Sequence, residues 1–206
     1  MLCQSAWVAA AYIFGSIPFG YLVVRLWKGV DVRTVGSGNI GATNVYRAAG
    51  VIPGVLVLLL DIGKGYLPLL FARNCSPAPV SSMFLFVVGI AAVVGHSYTI
   101  FLKGKGGKGV ATSFGVMIGL FPIAALLTFA VWLAVLAAFR YVSLASITAA
   151  AALPFLIYFA QSRDLFLTGL GVLVFILILY RHGENIKRLA AGKENRFVAP
   201  WKKRQA

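Results

Sequence analysis

Long apolar segments alternate with short polar ones along the chain, and this pattern is the strongest constraint on its fold. Hydrophobic residues make up 60% of the 206 residues and charged residues 12%, whereas about 25% of the residues in a soluble domain are charged. We therefore predict an all-α integral membrane protein with a single domain over residues 1–206. A transmembrane helix needs about 20 apolar residues, and such segments fall at 4–24, 51–72, 81–102, 144–161 and 164–181.

One uncharged segment, residues 110–139, is too long for a single helix that crosses a membrane upright. Its 30 residues would extend about 45 Å as a helix, against a hydrocarbon core of about 30 Å. Pro122, shortly after Gly119, offers a natural break. We therefore predict two short helices here and seven transmembrane helices in all. The alternative is one long tilted helix, which would give six.

Basic residues outnumber acidic ones by 19 to 5, and their placement predicts the orientation of the chain. Lys and Arg concentrate in the cytoplasmic loops of membrane proteins. Two polar loops, Arg140 and the C-terminal tail hold most of them, whereas the opposite side receives only Arg73 and Arg163. This distribution predicts an outside N-terminus, a cytoplasmic C-terminus and polar loops on the cytoplasmic side.

The first polar loop contains VGSGNIGATNVYRAAG at residues 35–50, which we name the first motif. Glycines permit positive φ and let consecutive N–H groups approach an anion. Arg47 adds a planar guanidinium suited to phosphate. The alternative is a flexible loop whose arginine only fixes orientation. The candidate substrate-binding or catalytic residues are Gly36, Ser37, Gly38, Asn39, Thr43, Asn44 and Arg47.

The second polar loop contains KGKGGKGVATSFG at residues 103–115, the second motif. Lys108 directly precedes a predicted helix, so its amine and the free N–H groups of that helix could meet on one anion. The loop lacks the P-loop pattern, because Leu102 stands where the first glycine belongs and Gly109 follows the lysine. The alternative is a tight turn whose lysines only fix orientation. The candidates are Lys105, Gly106, Gly107 and Lys108.

The third motif, RHGENIKRLAAGKE at residues 181–194, follows the last predicted transmembrane helix. At helical spacing His182, Asn185 and Leu189 share one face. A histidine at a helix end is commonly a solvated cap, which is the alternative to a functional role. The candidates are Arg181, His182 and Asn185.

Two charged residues, Asp61 and Lys64, lie within a predicted span. Charged side chains facing lipid cost several kcal/mol, so both should turn inward. Their i, i+3 spacing allows them to pair. We predict a structural ion pair, with support of the first motif as the alternative, and we expect His96 to be packed and hydrogen-bonded.

The sequence lacks several common catalytic patterns. Neither histidine is followed by an aspartate after four intervening residues, since those positions hold Phe101 and Lys187. Metal-ligand spacing is missing, and two cysteines, Cys3 and Cys75, are too few for a disulfide framework. We expect no metal and no cofactor. An enzyme of this kind would need a substrate that arrives already activated.

Together the three motifs resemble the PlsY family of bacterial acyl-phosphate:glycerol-3-phosphate acyltransferases. The similarity extends from GSIPFGYL at Gly15 to Glu194 and leaves the basic tail 195–206 unexplained. It implies seven membrane helices in the bacterial inner membrane, with all three motifs on the cytoplasmic face. It also implies transfer of a fatty acyl group from acyl phosphate to the 1-hydroxyl of sn-glycerol 3-phosphate. The products would be 1-acyl-sn-glycerol 3-phosphate and phosphate.

The resemblance also implies roles for the candidate residues. Ser37, Asn39 and Thr43, with the loop N–H groups, would bind the acyl-phosphate head, and Lys108 would lie between the two phosphates. A substrate phosphate would take the hydroxyl proton, with His182 as the rival base. The residues that resemble the glycerol-phosphate clamp of the family are Arg47, Ser143, His182 and Asn185.

Two other functions fit parts of the sequence. An anion transporter would use basic loops and inward charges, but its polar groups should lie near mid-membrane. A scaffold for anionic lipids would depend on the tail APWKKRQA. As partners we expect acyl phosphate, glycerol 3-phosphate and membrane lipids, with no nucleic acid, and we expect a monomer.

Overall fold

The computed structural model describes residues 2–74, 80–161 and 163–198, without the side chains of residues 2 and 3. Cys75, the side chain of Cys3 and the end of the basic tail lie outside this description. The described residues are helical with no strand, which confirms the all-α prediction. The α-helices are α1 Leu2–Ser16, α2 Phe19–Lys28, α3 Ala42–Ala49, α4 Val51–Asn74, α5 Ser82–Ser97, α6 Val110–Leu120, α7 Pro122–Phe139, α8 Val142–Leu156, α9 Leu165–Arg181 and α10 Gly183–Ala190.

The described chain contains enough long apolar helices for a multi-pass membrane protein. The bent pair α9 and α10, at 63°, could be one further span beyond five longer segments. The predicted total of seven requires the shorter α6 as well, and it stays a prediction. The five segments are Gln4–Lys28, Val51–Asn74, Ser82–Leu102, Pro122–Phe139 and Val142–Gln161.

The long uncharged segment breaks where the sequence suggested. Helix α6 ends at Leu120, and Phe121 leaves the helical region with φ −137° and ψ 67°. Pro122 then occupies the start of α7, where its missing N–H costs nothing. A continuous helix over 110–139 is therefore wrong. The expectation of two short helices holds only for α6, with 11 residues, because α7 has 18.

The chain divides after Leu120 into two compact units, and the single domain stays a prediction. In the first unit, glycines allow α4 and α6 to pack backbone to backbone. A Cβ atom added at Gly115 would lie 2.0 Å from the carbonyl oxygen of Ile62, and one at Gly65 would lie 2.1 Å from that of Thr112. Small residues of this kind bring helices together in membranes, where apolar surface alone gives little drive for association.

A buried apolar cluster of the first unit anchors both glycine-rich motifs. It joins α2, the first polar loop, α3 and α4 with Leu102, which directly precedes the second motif. The two motifs therefore rest on one shared core. Its buried members are Val24, Val32, Ile40, Val45, Val57 and Leu102.

The last described residues of the second unit are tied back to the corner between α7 and α8. Arg140 adopts a left-handed conformation with φ 62° at that corner. Its carbonyl accepts a hydrogen bond of 2.6 Å from the N–H of Phe197, and its guanidinium donates to the carbonyl of Phe197 at 3.2 Å. This anchoring holds Glu194, three residues earlier, close to α8.

Candidate active site

The side chain of Asn44 makes the central hydrogen bonds of the first motif. Its buried side-chain carbonyl accepts from the N–H of Ser37 at 2.9 Å. Its amide nitrogen donates to the carbonyls of Val32, Val35 and Asn39 at 3.1, 2.9 and 2.9 Å. The sequence placed Asn44 among the substrate-binding donors, but these contacts favour a different role, in which Asn44 shapes the loop that presents its neighbours.

The loop around Ser37 has the positive-φ backbone conformation that its glycines were expected to allow. Gly36 and Gly38 have φ of 60° and 68°, a region that glycine adopts with little strain. Ser37 lies exposed between them, and Asn39 fixes the next turn by accepting from the N–H of Gly41 at 2.8 Å. Thr43 and Arg47 follow on α3 and are partly buried. The motif therefore carries its hydroxyl, amide and guanidinium groups within one short, braced segment.

The entry to the first motif is fixed by Asp31, which the sequence analysis did not select. Its carboxylate accepts from the backbone N–H of Arg33 at 2.9 Å and contacts the guanidinium at 2.6 Å. Hydrogen bonds from Arg33 lower the pKa of Asp31 to about 2. The guanidinium also lies 5.1 Å from the centre of the Tyr21 ring. The sequence pattern that could have identified Asp31 is an aspartate two residues before an arginine, ahead of a glycine-rich segment.

Replacing Asn44 with alanine is expected to lower the free energy of unfolding by about 2 kcal/mol, because a buried brace of four hydrogen bonds is lost while water can still reach the exposed side of the loop. Thermal unfolding of the detergent-purified protein measures the change. Thr34→Ala is the control, since it removes one exposed hydrogen bond, 2.8 Å long, to Asp31. Equal stability of the two variants would contradict the role of Asn44.

The second motif is folded back onto the end of α5. Thr99 donates to the carbonyl of Ser16 at 2.5 Å and opens a short 3-10 turn. The chain then reverses through Lys103, at φ 52°. The N–H groups of Gly106 and Gly107 return to the carbonyls of Ser97 and His96, at 3.2 and 3.0 Å respectively. These bonds fix the backbone directly before Lys108.

Lys108 and Lys105 occupy different environments in this loop. Lys105 and Lys103 are both exposed. Their exposure agrees with a role in fixing the orientation of the chain as well as it agrees with ligand binding. Lys108 is partly buried and is followed by Gly109, at φ 80°, and the first turn of α6. Lys108 thus lies two residues before a helix, close to the position that the sequence predicted.

A buried ionic cluster lies in the same unit. The ammonium of Lys64 is 2.8 Å from the carboxylate of Asp61, which confirms the predicted ion pair. His96 joins this pair, with its Nδ1 3.6 Å from the same carboxylate oxygen, a contact that was not predicted from the sequence. The link joins α4 to α5, and local spacing could not indicate it.

The third motif buries both of its principal candidates. His182 directly follows α9, and its Nδ1 lies 2.8 Å from the carbonyl of Ile178. Because a carbonyl can only accept, Nδ1 carries the proton, and a neutral ring would use Nε2 as its basic nitrogen. Asn185 lies in the first turn of α10 and is buried as well, whereas Arg181 is partly exposed.

Glu194 organises this motif in the second unit and was missed as a candidate. One carboxylate oxygen accepts from the hydroxyl of Ser143 at 2.9 Å and from the amide of Asn185 at 2.7 Å. The other accepts from Nε of Arg188 at 2.8 Å. Burial raises the pKa of Glu194, but the hydrogen bonds from Arg188, Asn185 and Ser143 outweigh it and hold the pKa below its ordinary value. Glu194 therefore stays a carboxylate at neutral pH.

The family model for glycerol-3-phosphate acyltransferases matches residues 5–192. The chain belongs to this family. A glycerol-3-phosphate acyltransferase of Geotalea daltonii is 46% identical over 197 residues, covering 96% of this chain and 99% of that protein. The enzyme of the same name from Aquifex aeolicus is 48% identical over 190 residues, with 92% and 97% covered.

Solved structures of PlsY, described as an integral membrane glycerol 3-phosphate acyltransferase, have the same fold. The glycerol 3-phosphate form superposes with a TM-score of 0.88 at 46% identity, covering 95% of this chain and 96% of that one. The lysophosphatidic acid form gives a TM-score of 0.85 at 45% identity. These findings confirm the resemblance to PlsY and the all-α integral membrane class. The chain is thus an acyltransferase of lipid biosynthesis.

Proposed function

We propose that this acyltransferase moves a fatty acyl group from acyl phosphate to the 1-hydroxyl of sn-glycerol 3-phosphate. The products are 1-acyl-sn-glycerol 3-phosphate and inorganic phosphate. The observation that carries the proposal is the position of Lys108, which follows a turn fixed by two backbone hydrogen bonds and lies two residues before α6. A lysine beside free helix N–H groups suits a phosphoryl group.

The pairing of His182 supports an activated acyl donor. Its Nδ1 bonds to a backbone carbonyl, whereas a histidine base that activates a nucleophile is usually oriented by a carboxylate. Acyl phosphate is a mixed anhydride with a good leaving group, so positioning and charge neutralisation can supply much of the rate. A substrate phosphate, with a second pKa near 6, then takes the hydroxyl proton. His182, through Nε2, is the rival base.

We assign the candidate residues to each unit separately. In the first unit, the side chains of Ser37, Asn39 and Thr43 bind phosphoryl oxygens, while Arg47 and Lys108 neutralise their charge. In the second unit, Ser143, His182 and Asn185 bind the polar acceptor. The remaining substrate-binding candidates are Gly36, Gly38, Lys105, Gly106, Gly107 and Arg181.

An apolar groove between α1 and α5 suits an acyl chain. Its volume is about 620 Å³, and its lining includes Val8, Tyr12, Val87 and Val94. The hydroxyl of Tyr12 donates to the carbonyl of Tyr98 at 3.0 Å, so this end of the groove lies near the chain that leads into the second motif. We further propose a monomeric, single-domain protein of the bacterial inner membrane, with seven spans, an outside N-terminus and cytoplasmic motifs.

The test follows phosphate release by the purified protein from palmitoyl phosphate, with and without glycerol 3-phosphate. We expect release that requires the acceptor and that matches the 1-acyl-sn-glycerol 3-phosphate formed. Palmitoyl-CoA replaces palmitoyl phosphate as the control donor and should support no transfer. Transfer from palmitoyl-CoA alone would refute the acyl-phosphate donor, and a folded protein without transfer from either would favour an anion transporter.

A further inference from the structure

We propose that Asp61, Lys64 and His96 form a positioning cluster that holds the second motif in its working geometry. Their side chains are buried, with residue exposures of 2%, 1% and 4%. Removing charges from water costs several kcal/mol per ion, and well-packed apolar residues often replace a buried ion pair with no loss of stability. Stability alone therefore gives no reason for a cluster of this kind. Its contacts indicate a second role.

His96 connects the cluster to the residue before Lys108. The Nδ1 edge of its ring faces Asp61 at 3.6 Å. The Nε2 edge faces Gly107 so closely that a Cβ atom added there would lie 2.0 Å from Nε2. The backbone of His96 also accepts from the N–H of Gly107, at 3.0 Å. Ring and backbone together fix Gly107, and the carboxylate of Asp61 favours one orientation of the ring.

Lys64 connects the same carboxylate to the break between α1 and α2. Its ammonium donates to the carbonyl of Ile17 at 2.9 Å and lies 5.5 Å from the centre of the Phe19 ring. Gly20, one residue further on, packs directly beneath the carbonyl of Ile40 in the first motif. The cluster is therefore linked to both glycine-rich motifs, through His96 on one side and the α1–α2 break on the other.

This inference rests on the proposed role of Lys108. Its structural part, the order of the loop, can be measured without an activity assay. Hydrogen exchange of the backbone amides at residues 104–109 reports the order of the loop directly. We expect Asp61→Asn/Lys64→Met to raise that exchange about 10-fold, since the ring of His96 loses the carboxylate that orients it. Glu184→Gln/Lys187→Met, an exposed pair with the same i, i+3 spacing, should leave the exchange unchanged.

Activity and stability should separate in the same double variant. Because it removes both charges together, we expect its thermal unfolding temperature to stay near that of the wild type. We expect kcat for glycerol-3-phosphate acylation to fall about 100-fold, the effect of a displacement near 1 Å at the reacting groups, with KM within about threefold. If the amides of residues 104–109 exchanged as slowly in the double variant as in the wild type, the proposal would be overturned, whatever the acyl donor is.

The role of the contact between His96 and Gly107 can be tested by removing the His96 ring. Gly107→Ala should lower kcat about 100-fold, because its Cβ displaces the imidazole or the loop. In a His96→Ala background the same substitution should cost less than about threefold, since the obstructing ring is gone. A cost for Gly107→Ala that is equal in both backgrounds would show that His96 does not position the loop.

Discussion

Replacing Lys108 with alanine is expected to lower kcat for acyl transfer about 1,000-fold, the loss typical when a preorganised group that stabilises developing charge is removed. The loop is held by hydrogen bonds to His96 and Ser97 that do not involve the lysine side chain, so its backbone should stay in place. The thermal unfolding temperature should therefore change little. Steady-state kinetics with palmitoyl phosphate and glycerol 3-phosphate measure the effect.

Lys103→Ala is the matched control for this experiment. Lys103 lies in the same motif with the same charge, but it is exposed and five residues before Lys108. We expect its kcat within about threefold of the wild type, because a screened surface charge contributes little. If both lysines had similar small effects, the loop would act only through its net charge and the assigned role of Lys108 would be wrong.

Replacing Glu194 with alanine is expected to lower the free energy of unfolding by about 3 kcal/mol, because Arg188 and two further donors lose a shared buried acceptor. The KM for glycerol 3-phosphate should rise as well, since Glu194 orients Ser143 and Asn185. Glu194→Gln should cost about half as much, because it can keep an acceptor for those two residues and loses the ion pair with Arg188. Thermal unfolding and steady-state kinetics measure the two effects.

The same carboxylate predicts a pH dependence. Since the folded protein holds the pKa of Glu194 below its ordinary value of 4.5, its contribution to stability is present above that pH and is lost as the pH falls through the folded pKa. The stability difference between wild type and Glu194→Gln should therefore shrink below pH 4.5. Glu184→Ala, which breaks only an exposed pair, should leave the stability close to that of the wild type. A cost equal to that of Glu194→Ala would refute the buried-acceptor account.

Local patterns predicted the features that depend on local spacing. The helical class follows from apolar segment length, the ion pair from the i, i+3 spacing of Asp61 and Lys64, and the helix break from Pro122. The unequal division of 110–139 was not foreseen. Helix α6 begins at Val110, where the uncharged segment begins, and ends two residues before Pro122, so the same residues that place the break also make the two helices unequal.

Apart from the local pair of Asp31 and Arg33, the missed contacts join residues that lie far apart in the sequence. Glu194 meets Ser143 across 51 positions of the chain, so no periodicity connects them. His96 and Asp61 lie on different helices. Asn44 was found for its amide group, but only the folded loop showed that its hydrogen bonds go to the neighbouring backbone. In each case the type of the residue could be read from the sequence, but the residue that it contacts in the folded protein could not.

The short helix α6 bears on how the chain enters a bilayer. Its 11 residues rise about 16 Å, roughly half of a hydrocarbon core, which is too little apolar length for recognition as an independent span. Close backbone packing on α4 secures it, and the guanidinium of Arg73 donates to the carbonyl of Gly119 near its C-terminus at 3.2 Å. Arg73 thus satisfies a helix end. The short helix that follows the second motif therefore owes its position to contacts with the longer α4 more than to its own apolar length.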